Sequence, residues 1–193
     1  TSYDKTLFNL DESNYDLNGR FDLYTYWYND IKEKIDSWEF QTDILWEANN
    51  RLKAIKEKLG DKPTVSIHIR RGDYTLPQNQ VLNIIDDDYY IEALSKNFLP
   101  IDDYNFIIFS NDIEYAKAHL EGDNVYFVEP KGIDSYSYTS SEKDDLALLS
   151  LCDHHIITNS TYSWWGAYLS KSPNKKIVCP TNWLKGSSFM NGN

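Results

Sequence analysis

The segment HIRRGDY, residues 68–74, places two adjacent arginines and an aspartate directly after an apolar run. Guanidinium groups bind phosphate oxygens through paired hydrogen bonds, and they carry a fixed positive charge without a metal ion. Gly72 would let the backbone turn sharply, and Asp73 could orient one of the arginines. These residue types therefore suit a site for an anionic ligand.

The direction of each side chain in this segment follows from its extended backbone. Side chains alternate there, so His68 and Arg70 should face one way and Arg71 the other. Two other interpretations stay open. Arg71 and Asp73 could form a surface ion pair, which contributes little to stability. The tripeptide RGD, residues 71–73, could also act as an adhesion loop, but its place beside an apolar run rather than at a mobile tip disfavours that function.

Two more polar clusters follow apolar runs later in the chain: SND at residues 110–112 and NSTYSWWG at residues 159–166. Hydroxyls and unpaired backbone N–H groups at a helix start bind anions, but the same residues also serve as plain helix caps. In the first cluster, capping by Ser110 or Asn111 is favoured over a ligand contact by Asn111 or Asp112. In the second, the bulky aromatic side chains are expected in the core rather than as a platform for a sugar ring. These aromatic residues are Trp164, Trp165 and Tyr168.

Two motifs resemble metal-binding sequences, but neither supports a metal site. Consecutive residues of CDHH, residues 152–155, enter a strand and point to opposite faces, so they cannot share one ion well. The DDD run at residues 86–88 precedes a helix rather than following a strand, so helix capping explains it better. The sequence has no Walker loop and no glycine-rich dinucleotide loop, and we expect no metal or other cofactor.

Apolar runs alternate with segments of helical spacing from about residue 64 onwards. Five strands that alternate with helices predict an α/β fold with a parallel sheet and helices on both faces. The predicted strands are TVSIHI (64–69), YNFIIFS (104–110), NVYFVE (124–129), HHIIT (154–158) and KKIVCP (175–180). Ligands of such sheets bind beyond the carboxyl ends of the strands, so the three polar clusters should converge on one rim.

Residues 1–60 have a different pattern from the rest of the chain. Two amphipathic helices are predicted there, at residues 24–40 and 42–60, and the second ends at Gly60 as its C-cap. We therefore expect an appended N-terminal helical segment over residues 1–60 and an α/β domain over residues 61–193.

The chain of 193 residues carries a net charge of −11 and has a pI near 4.7. A field of that sign repels nucleic acid and anionic lipid, so local positive charge must hold any anionic ligand. No apolar run in the sequence approaches membrane-spanning length. Cys152 and Cys179 both lie in apolar surroundings, which favours buried free thiols in a reducing compartment.

Three motifs, in this order and spacing, resemble those of the α-1,2-fucosyltransferases of glycosyltransferase family 11. They are HIRRGDY, FSND about forty residues later, and NSTYSWWGAYLS. The stretch DDLALLSLCDHHIITNS is also similar to the family's sequence before its third motif, and the resemblance covers roughly residues 20 to 185. It implies a Rossmann-like domain, the C-terminal half of a two-domain GT-B architecture, that holds GDP-fucose.

By this resemblance, Arg70 would bind the β-phosphate of the donor and stabilise the departing GDP, while His68 would lie near the nucleoside. Arg71 and Asp73 would shape the loop, and Asp73 is also a candidate general base, so Arg70 and Asp73 are the candidate catalytic residues. The residues expected at the donor are His68, Arg70, Arg71, Asn111, Asp112, Asn159, Ser160, Thr161 and Ser163. The family inverts configuration without a metal, and its acceptors are galactose-terminated glycans.

One departure from the family pattern limits this expectation. The family begins with a glycine-rich GGLGNQ stretch in its N-terminal domain, and nothing like it occurs here. The chain thus resembles the donor-binding half plus a helical segment, with an N-terminal domain missing. Whether this chain is active by itself stays open. The alternative is a nucleotide-sugar binding module without catalysis. The expected location is the bacterial cytoplasm, with peripheral membrane association as the alternative.

Overall fold

The structure, a computed structural model, describes residues 33–80, 82–129 and 141–185. The chain divides into two compact units, Thr1–Glu39 and Phe40–Asn193. The sheet and its helices belong to the second unit. The first predicted helix, residues 24–40, falls mostly outside the described residues.

A parallel sheet forms the centre of the second unit, and all five predicted strands are confirmed. In the described residues they are β1 (Thr64–Ile69), β2 (Asn105–Ser110), β3 (Val125–Phe127), β4 (His154–Ile156) and β5 (Ile177–Val178). Their order across the sheet is β3-β2-β1-β4-β5, and every neighbouring pair is parallel. This is a Rossmann-like α/β fold, as the sequence indicated. The direction of strand progression reverses between β1 and β4, which makes that gap the topological switch point.

Helices cover both faces of the sheet. In the described part of the chain they are α1 (Thr42–Leu59), α2 (Asp87–Asn97), α3 (Ile113–His119), α4 (Ser141–Ser150) and α5 (Thr161–Leu169). Helices α2 and α3 pack on the face that carries Val65, Ile67 and Ile69 of β1. Helices α1 and α4 pack on the opposite face, which carries Ile107 and Phe109 of β2. The alternation of side chains along each strand thus supplies one apolar surface to each helix layer.

Local capping explains where several helices begin and end. Asp86 accepts a hydrogen bond from the Tyr89 backbone N–H (3.4 Å), so the DDD run caps α2 as predicted. Gly60 ends α1 with a positive φ of 94°. The predicted cap of α3, Ser110 or Asn111, was wrong. Asp112 is the N-cap of this helix and accepts a hydrogen bond from the Tyr115 N–H (3.3 Å). Ser110 instead accepts from the Asp112 N–H, one step before the helix starts.

Helix α1 belongs to the α/β unit and buries Ile44, Ala48 and Ile55. The compact units therefore divide between Glu39 and Phe40, whereas the sequence suggested a boundary after residue 60. The apolar stripe of α1 is the physical reason, because it packs in the same core cluster as α4 and β2.

Two sequence-based expectations about burial were wrong. Trp164, Trp165 and Tyr168 are only partly buried and pack on one another. The Trp164 and Tyr168 rings are stacked, 5.1 Å apart and nearly parallel, and Trp165 meets both edge-to-face. The face of α5 that packs inward is instead its small-residue face, which includes Gly166. A Cβ at Gly166 would lie 2.4 Å from Leu149 Cδ2, so glycine permits the close approach of α5 to α4. Both cysteines are free thiols, but only Cys152 is buried, and Cys179 is exposed.

The start of β1 is tied to the turn before β4 by a reciprocal set of hydrogen bonds. Asp153 Oδ2 accepts from both the backbone N–H and the hydroxyl of Thr64, each at 2.8 Å. The Asp153 N–H donates back to Thr64 Oγ1 (3.1 Å). Thr64 is fully buried, so these bonds satisfy groups that water does not reach.

We predict that Asp153→Ala lowers the free energy of unfolding by about 1–3 kcal/mol, because it leaves two buried Thr64 donors unsatisfied. Asp102→Ala, which removes an exposed carboxylate, is the control and should change the free energy by less than about 0.5 kcal/mol. Chemical denaturation measures both. Equal stabilities of the two variants would contradict the assigned role of Asp153.

Candidate functional site

The candidate site lies where the segments after β1, β2 and β4 meet. Ile69 pairs with Ser110, and Ile67 pairs with Ile156, so the three strands end at similar levels. The segment after β1 leads to α2 on one face of the sheet, and the segment after β4 leads to α5, which packs against α4. The two connections diverge and leave the rim between them open, as at other switch points.

Arg70 is the cation exposed at this rim. Its Nη2 lies 2.8 Å from Asp73 Oδ1, and its guanidinium carbon lies 5.5 Å from the ring centroid of Tyr74. About a third of the side chain is exposed (32%), so the ion pair does not shield it from a ligand. Asp73, 39% exposed, is thus placed to orient Arg70, which was one of its two predicted roles.

Arg71 makes a different set of contacts from Arg70, as the predicted alternation requires. Its guanidinium carbon lies 3.7 Å from the ring centroid of Tyr115, and its Nε lies 3.6 Å from Asp112 Oδ2. The alternative of an ion pair between Arg71 and Asp73 was therefore wrong. The packed side chain also argues against an adhesion loop, because the arginine of the RGD tripeptide is held against α3 rather than presented at a tip.

Asn111 holds the turn after β1 in shape. Its Oδ1 accepts from the Arg71 backbone N–H (2.9 Å), and its Nδ2 lies 3.4 Å from Asp73 Oδ1. A Cβ at Gly72 would lie 2.3 Å from Asn111 Nδ2. Gly72 therefore allows the close approach of the Asn111 side chain, and its φ is not positive.

Asn159 anchors the segment after β4, a role that the sequence did not reveal. Its Nδ2 donates to the carbonyl oxygens of Asn83 and Trp183, both at 2.7 Å, and its Oδ1 accepts from the Thr158 hydroxyl (2.9 Å). The residue is 2% exposed. Its side-chain polar atoms are thus occupied by the protein, and its backbone carbonyl accepts from the Tyr74 hydroxyl (3.0 Å).

The hydroxyl residues at the start of α5 differ in their exposure. Ser160 is nearly buried, and its side chain makes no capping hydrogen bond. Ser163 is fully buried and donates to the Ser160 carbonyl oxygen (3.2 Å). Thr161 is exposed. All three follow the carboxyl end of β4, and Thr161 is the exposed residue among them.

His68 lies below the rim and is 5% exposed. Its ring centroid is 5.4 Å from that of Tyr162 at the start of α5. Burial, assisted by the positive charge of Arg70, lowers the pKa of His68 to about 3. The imidazole is therefore neutral at physiological pH and can take part in a hydrogen bond without carrying charge.

The histidines of CDHH face opposite sides of the sheet, as predicted. His154 packs against Phe98, with ring centroids 5.7 Å apart, whereas His155 Nδ1 lies 2.8 Å from Ser66 Oγ. In residues 33–80, 82–129 and 141–185, no cluster of three or more His, Cys, Asp or Glu side chains is arranged to hold a metal ion.

Two surface hollows in the described part of the chain lie away from Arg70. The larger, about 460 Å³, runs along α1 beside Lys53 and Lys56. The smaller, about 140 Å³, lies between α2 and α3 and is lined in part by Asp87 and Tyr115. Arg70 lines neither of these two hollows.

The fold and this rim define a Rossmann-like α/β protein with a candidate anion site at its switch point. The family follows from the sequence comparison. The chain matches the model of Glycosyl transferase family 11 over residues 6–191 and belongs to that family. No solved structure matches the chain.

Several curated proteins are similar to this chain. The O-antigen biosynthesis glycosyltransferase WbnK of Escherichia coli is 35% identical over 127 residues, which cover 65% of the chain and 40% of that protein. An alpha-1,2-colitosyltransferase of Escherichia coli is 28% identical over 88% of the chain and 58% of its own length. Galactoside alpha-(1,2)-fucosyltransferase 2 of Oryctolagus cuniculus is 27% identical over 76% of the chain and 41% of its own length. The chain spans about half the length of these relatives.

One finding bears on membranes. Among the residues that the structure describes, no helix combines the length and the apolar character that crossing a bilayer requires.

Two buried imidazoles give a prediction about acid stability. Burial lowers the pKa values of both His68 and His155 to about 3 in the folded chain, against an ordinary value of 6.5. Between these values the unfolded chain binds more protons, so the free energy of unfolding should fall as the pH drops from about 6.5 towards 3. Each histidine contributes about 1.4 kcal/mol per pH unit in the middle of that window.

We predict that His155→Gln makes the free energy of unfolding less dependent on pH between about pH 6 and pH 4, because one of these protonations is removed. Urea denaturation at several pH values measures the slope, which separates this effect from any general loss of stability. Equal slopes in the variant and the parent would contradict the buried, neutral state of His155.

Proposed function

We propose that this chain forms the donor-binding part of an α-1,2-fucosyltransferase that transfers fucose from GDP-fucose to a galactose-terminated glycan. Family membership and relatives named as α-1,2-glycosyltransferases support this function. The observation that carries it is the exposed Arg70 guanidinium at the switch point, held in place by Asp73 and Tyr74. Because the match covers only 40%, 58% and 41% of the length of the three relatives, the acceptor and any further domain also belong to the proposal.

The proposed reaction is a displacement at the anomeric carbon of fucose, with inversion and without a metal. An acceptor hydroxyl oxygen forms a bond to this carbon, and the bond from the carbon to the β-phosphate oxygen breaks. The electron pair passes to the departing GDP, and the hydroxyl proton passes to a base. A guanidinium fixed beside the β-phosphate stabilises this growing charge more in the transition state than in the bound donor, so it lowers the barrier.

Asp73 fits an orienting role better than the role of general base. The oxygen that contacts Arg70 Nη2 also lies within 3.4 Å of Asn111 Nδ2, so it already faces two donors. Neutral His68 lies beneath the rim and is assigned to the nucleoside rather than to the proton. We therefore place the base outside this pair, with the proton leaving towards the acceptor side of the open rim.

The second candidate is a nucleotide-sugar binding module without catalysis. The exposure of the Arg70 side chain (32%) favours it, because a group open to solvent can bind a nucleotide sugar without excluding water from the site. Binding of GDP-fucose and transfer of labelled fucose, measured together, distinguish the two functions. Binding with transfer to a galactose-terminated acceptor supports the enzyme, whereas binding without transfer by the full-length protein supports the module. A parallel reaction with nucleotide-linked colitose tests the donor sugar.

We predict that Arg70→Ala weakens GDP binding by about 100-fold, because the diphosphate loses charge-assisted hydrogen bonds worth about 2–3 kcal/mol. Arg70→Lys should recover little of this affinity, since an ammonium does not reproduce the planar fork. Isothermal titration calorimetry with GDP measures both.

Arg51→Ala is the matched control. Arg51 lies on α1 and pairs with Asp145 (2.7 Å), so its removal changes the net charge equally but leaves the rim intact. Its GDP affinity should stay within about twofold of the parent, because the Arg51 guanidinium is already paired with Asp145 on α4. If Arg70→Ala bound GDP as tightly as Arg51→Ala, the assignment of the diphosphate to Arg70 would be wrong.

A further inference from the structure

Tyr74 connects the two sides of the switch point. It lies in the turn after β1, and its hydroxyl donates to the backbone carbonyl oxygen of Asn159 after β4 (3.0 Å). The same side chain places its ring 5.5 Å from the guanidinium carbon of Arg70. One residue therefore both spans the rim and contacts the candidate phosphate-binding group.

The far end of this connection is rigid. Asn159 is 2% exposed, and its side chain is fixed by three hydrogen bonds to Thr158, Asn83 and Trp183. Its carbonyl oxygen is therefore a fixed acceptor, and the Tyr74 hydroxyl bond sets the distance between the two segments.

The near end is also held in place. Asn79 Nδ2 donates to the Asp73 carbonyl oxygen (2.8 Å), and the Thr75 hydroxyl donates to the Gly72 carbonyl oxygen (2.7 Å). The turn that carries Arg70 is thus ordered by its own hydrogen bonds. Tyr74 then fixes this ordered turn relative to β4.

We propose that Tyr74 is a positioning residue, which holds the Arg70 guanidinium at the height where a β-phosphate meets the rim. The Tyr74 ring and the Asp73 carboxylate both lie beside the Arg70 guanidinium and together restrict its rotamers. A preorganised guanidinium loses less conformational entropy when a ligand binds, so the affinity for the diphosphate rises. This inference rests on the proposed function, because it assumes that Arg70 binds the donor diphosphate.

A purely structural tyrosine would behave differently from a positioning one. If Tyr74 only stabilised the fold, its removal would weaken every ligand of the rim to the same extent. If it positions Arg70, its removal weakens ligands that carry a β-phosphate and leaves the others unaffected. The ratio of the GDP affinity to the GMP affinity is therefore the decisive quantity.

The test compares Tyr74→Phe and Tyr74→Leu by calorimetric titration with GDP and with GMP. Tyr74→Phe keeps the ring and loses the bond to Asn159, so we expect GDP binding to weaken about threefold. Tyr74→Leu loses both contacts, and we expect a loss of about tenfold. GMP affinity should stay within about twofold in both variants, because GMP has no β-phosphate for Arg70 to bind.

Tyr89→Phe is the matched control. The Tyr89 hydroxyl also contacts backbone carbonyl oxygens beside the sheet, those of Ile157 (2.6 Å) and Val178 (3.0 Å), but it lies away from Arg70. Its loss should lower thermal stability and leave the GDP-to-GMP ratio unchanged. In the Arg70→Ala background, Tyr74→Leu should have no further effect on GDP binding, because the two residues act together.

The outcomes separate this inference from the function on which it rests. If the parent chain binds no GDP, the proposed function fails and the role of Tyr74 fails with it. If the parent binds GDP and Tyr74→Leu binds it equally well, only the role of Tyr74 is overturned. An equal loss of GDP and GMP affinity in Tyr74→Phe, which preserves the packing of the ring, would also overturn the positioning role. Tyr74 would then have only a structural role.

Discussion

The site depends on the reversal of strand order beside β1. Because β1 pairs with β2 on one side and with β4 on the other, the segment that leaves it is contacted from both neighbours. Asn111 after β2 fixes its backbone, and the carbonyl oxygen of Asn159 after β4 receives the Tyr74 hydroxyl. Arg70 lies between these two anchors. A parallel sheet in simple sequential order would provide no open crevice at this position.

Electrostatics explains why this turn carries so many charges. The chain has a net charge of −11, so its long-range field opposes the approach of an anion. Local guanidinium groups must overcome that field over a few ångströms. Arg71 is stacked on Tyr115 and paired with Asp112, which leaves Arg70 as the more exposed of the two cations in the turn. Asp73 lowers the affinity of Arg70 for an anionic ligand, since its carboxylate competes with that ligand, but it also fixes the direction of the guanidinium.

The periodicity of apolar residues in the sequence was sufficient to predict the strands of the sheet and the helices between them. All five strands were predicted, because their β-branched runs and the helical spacing between them are local properties of the chain. The convergence of three polar clusters on one rim followed from the parallel arrangement alone. Strand order did not follow, because it depends on which strands pair across long stretches of chain. The switch point beside β1 therefore became visible only in the structure.

The partners of individual side chains were the least predictable feature. Asn159 was expected to cap a helix or to contact a ligand, yet it binds carbonyl oxygens of residues 76 positions earlier and 24 positions later. Asn111 was expected to be a cap, but it contacts Arg71 across 40 positions. Such contacts depend on how loops pack after the sheet has formed. A local pattern identifies a polar residue near a site, whereas the tertiary structure decides which of its atoms the protein has already used.

The most direct test of the central claim is a structure of the chain determined with GDP bound. If Arg70 binds the donor diphosphate, a β-phosphate oxygen will lie within hydrogen-bonding distance of its guanidinium, about 2.7–3.2 Å, above the gap between β1 and β4. GDP bound elsewhere, with Arg70 still paired only to Asp73 and no phosphate beside it, would show that Arg70 does not bind the diphosphate.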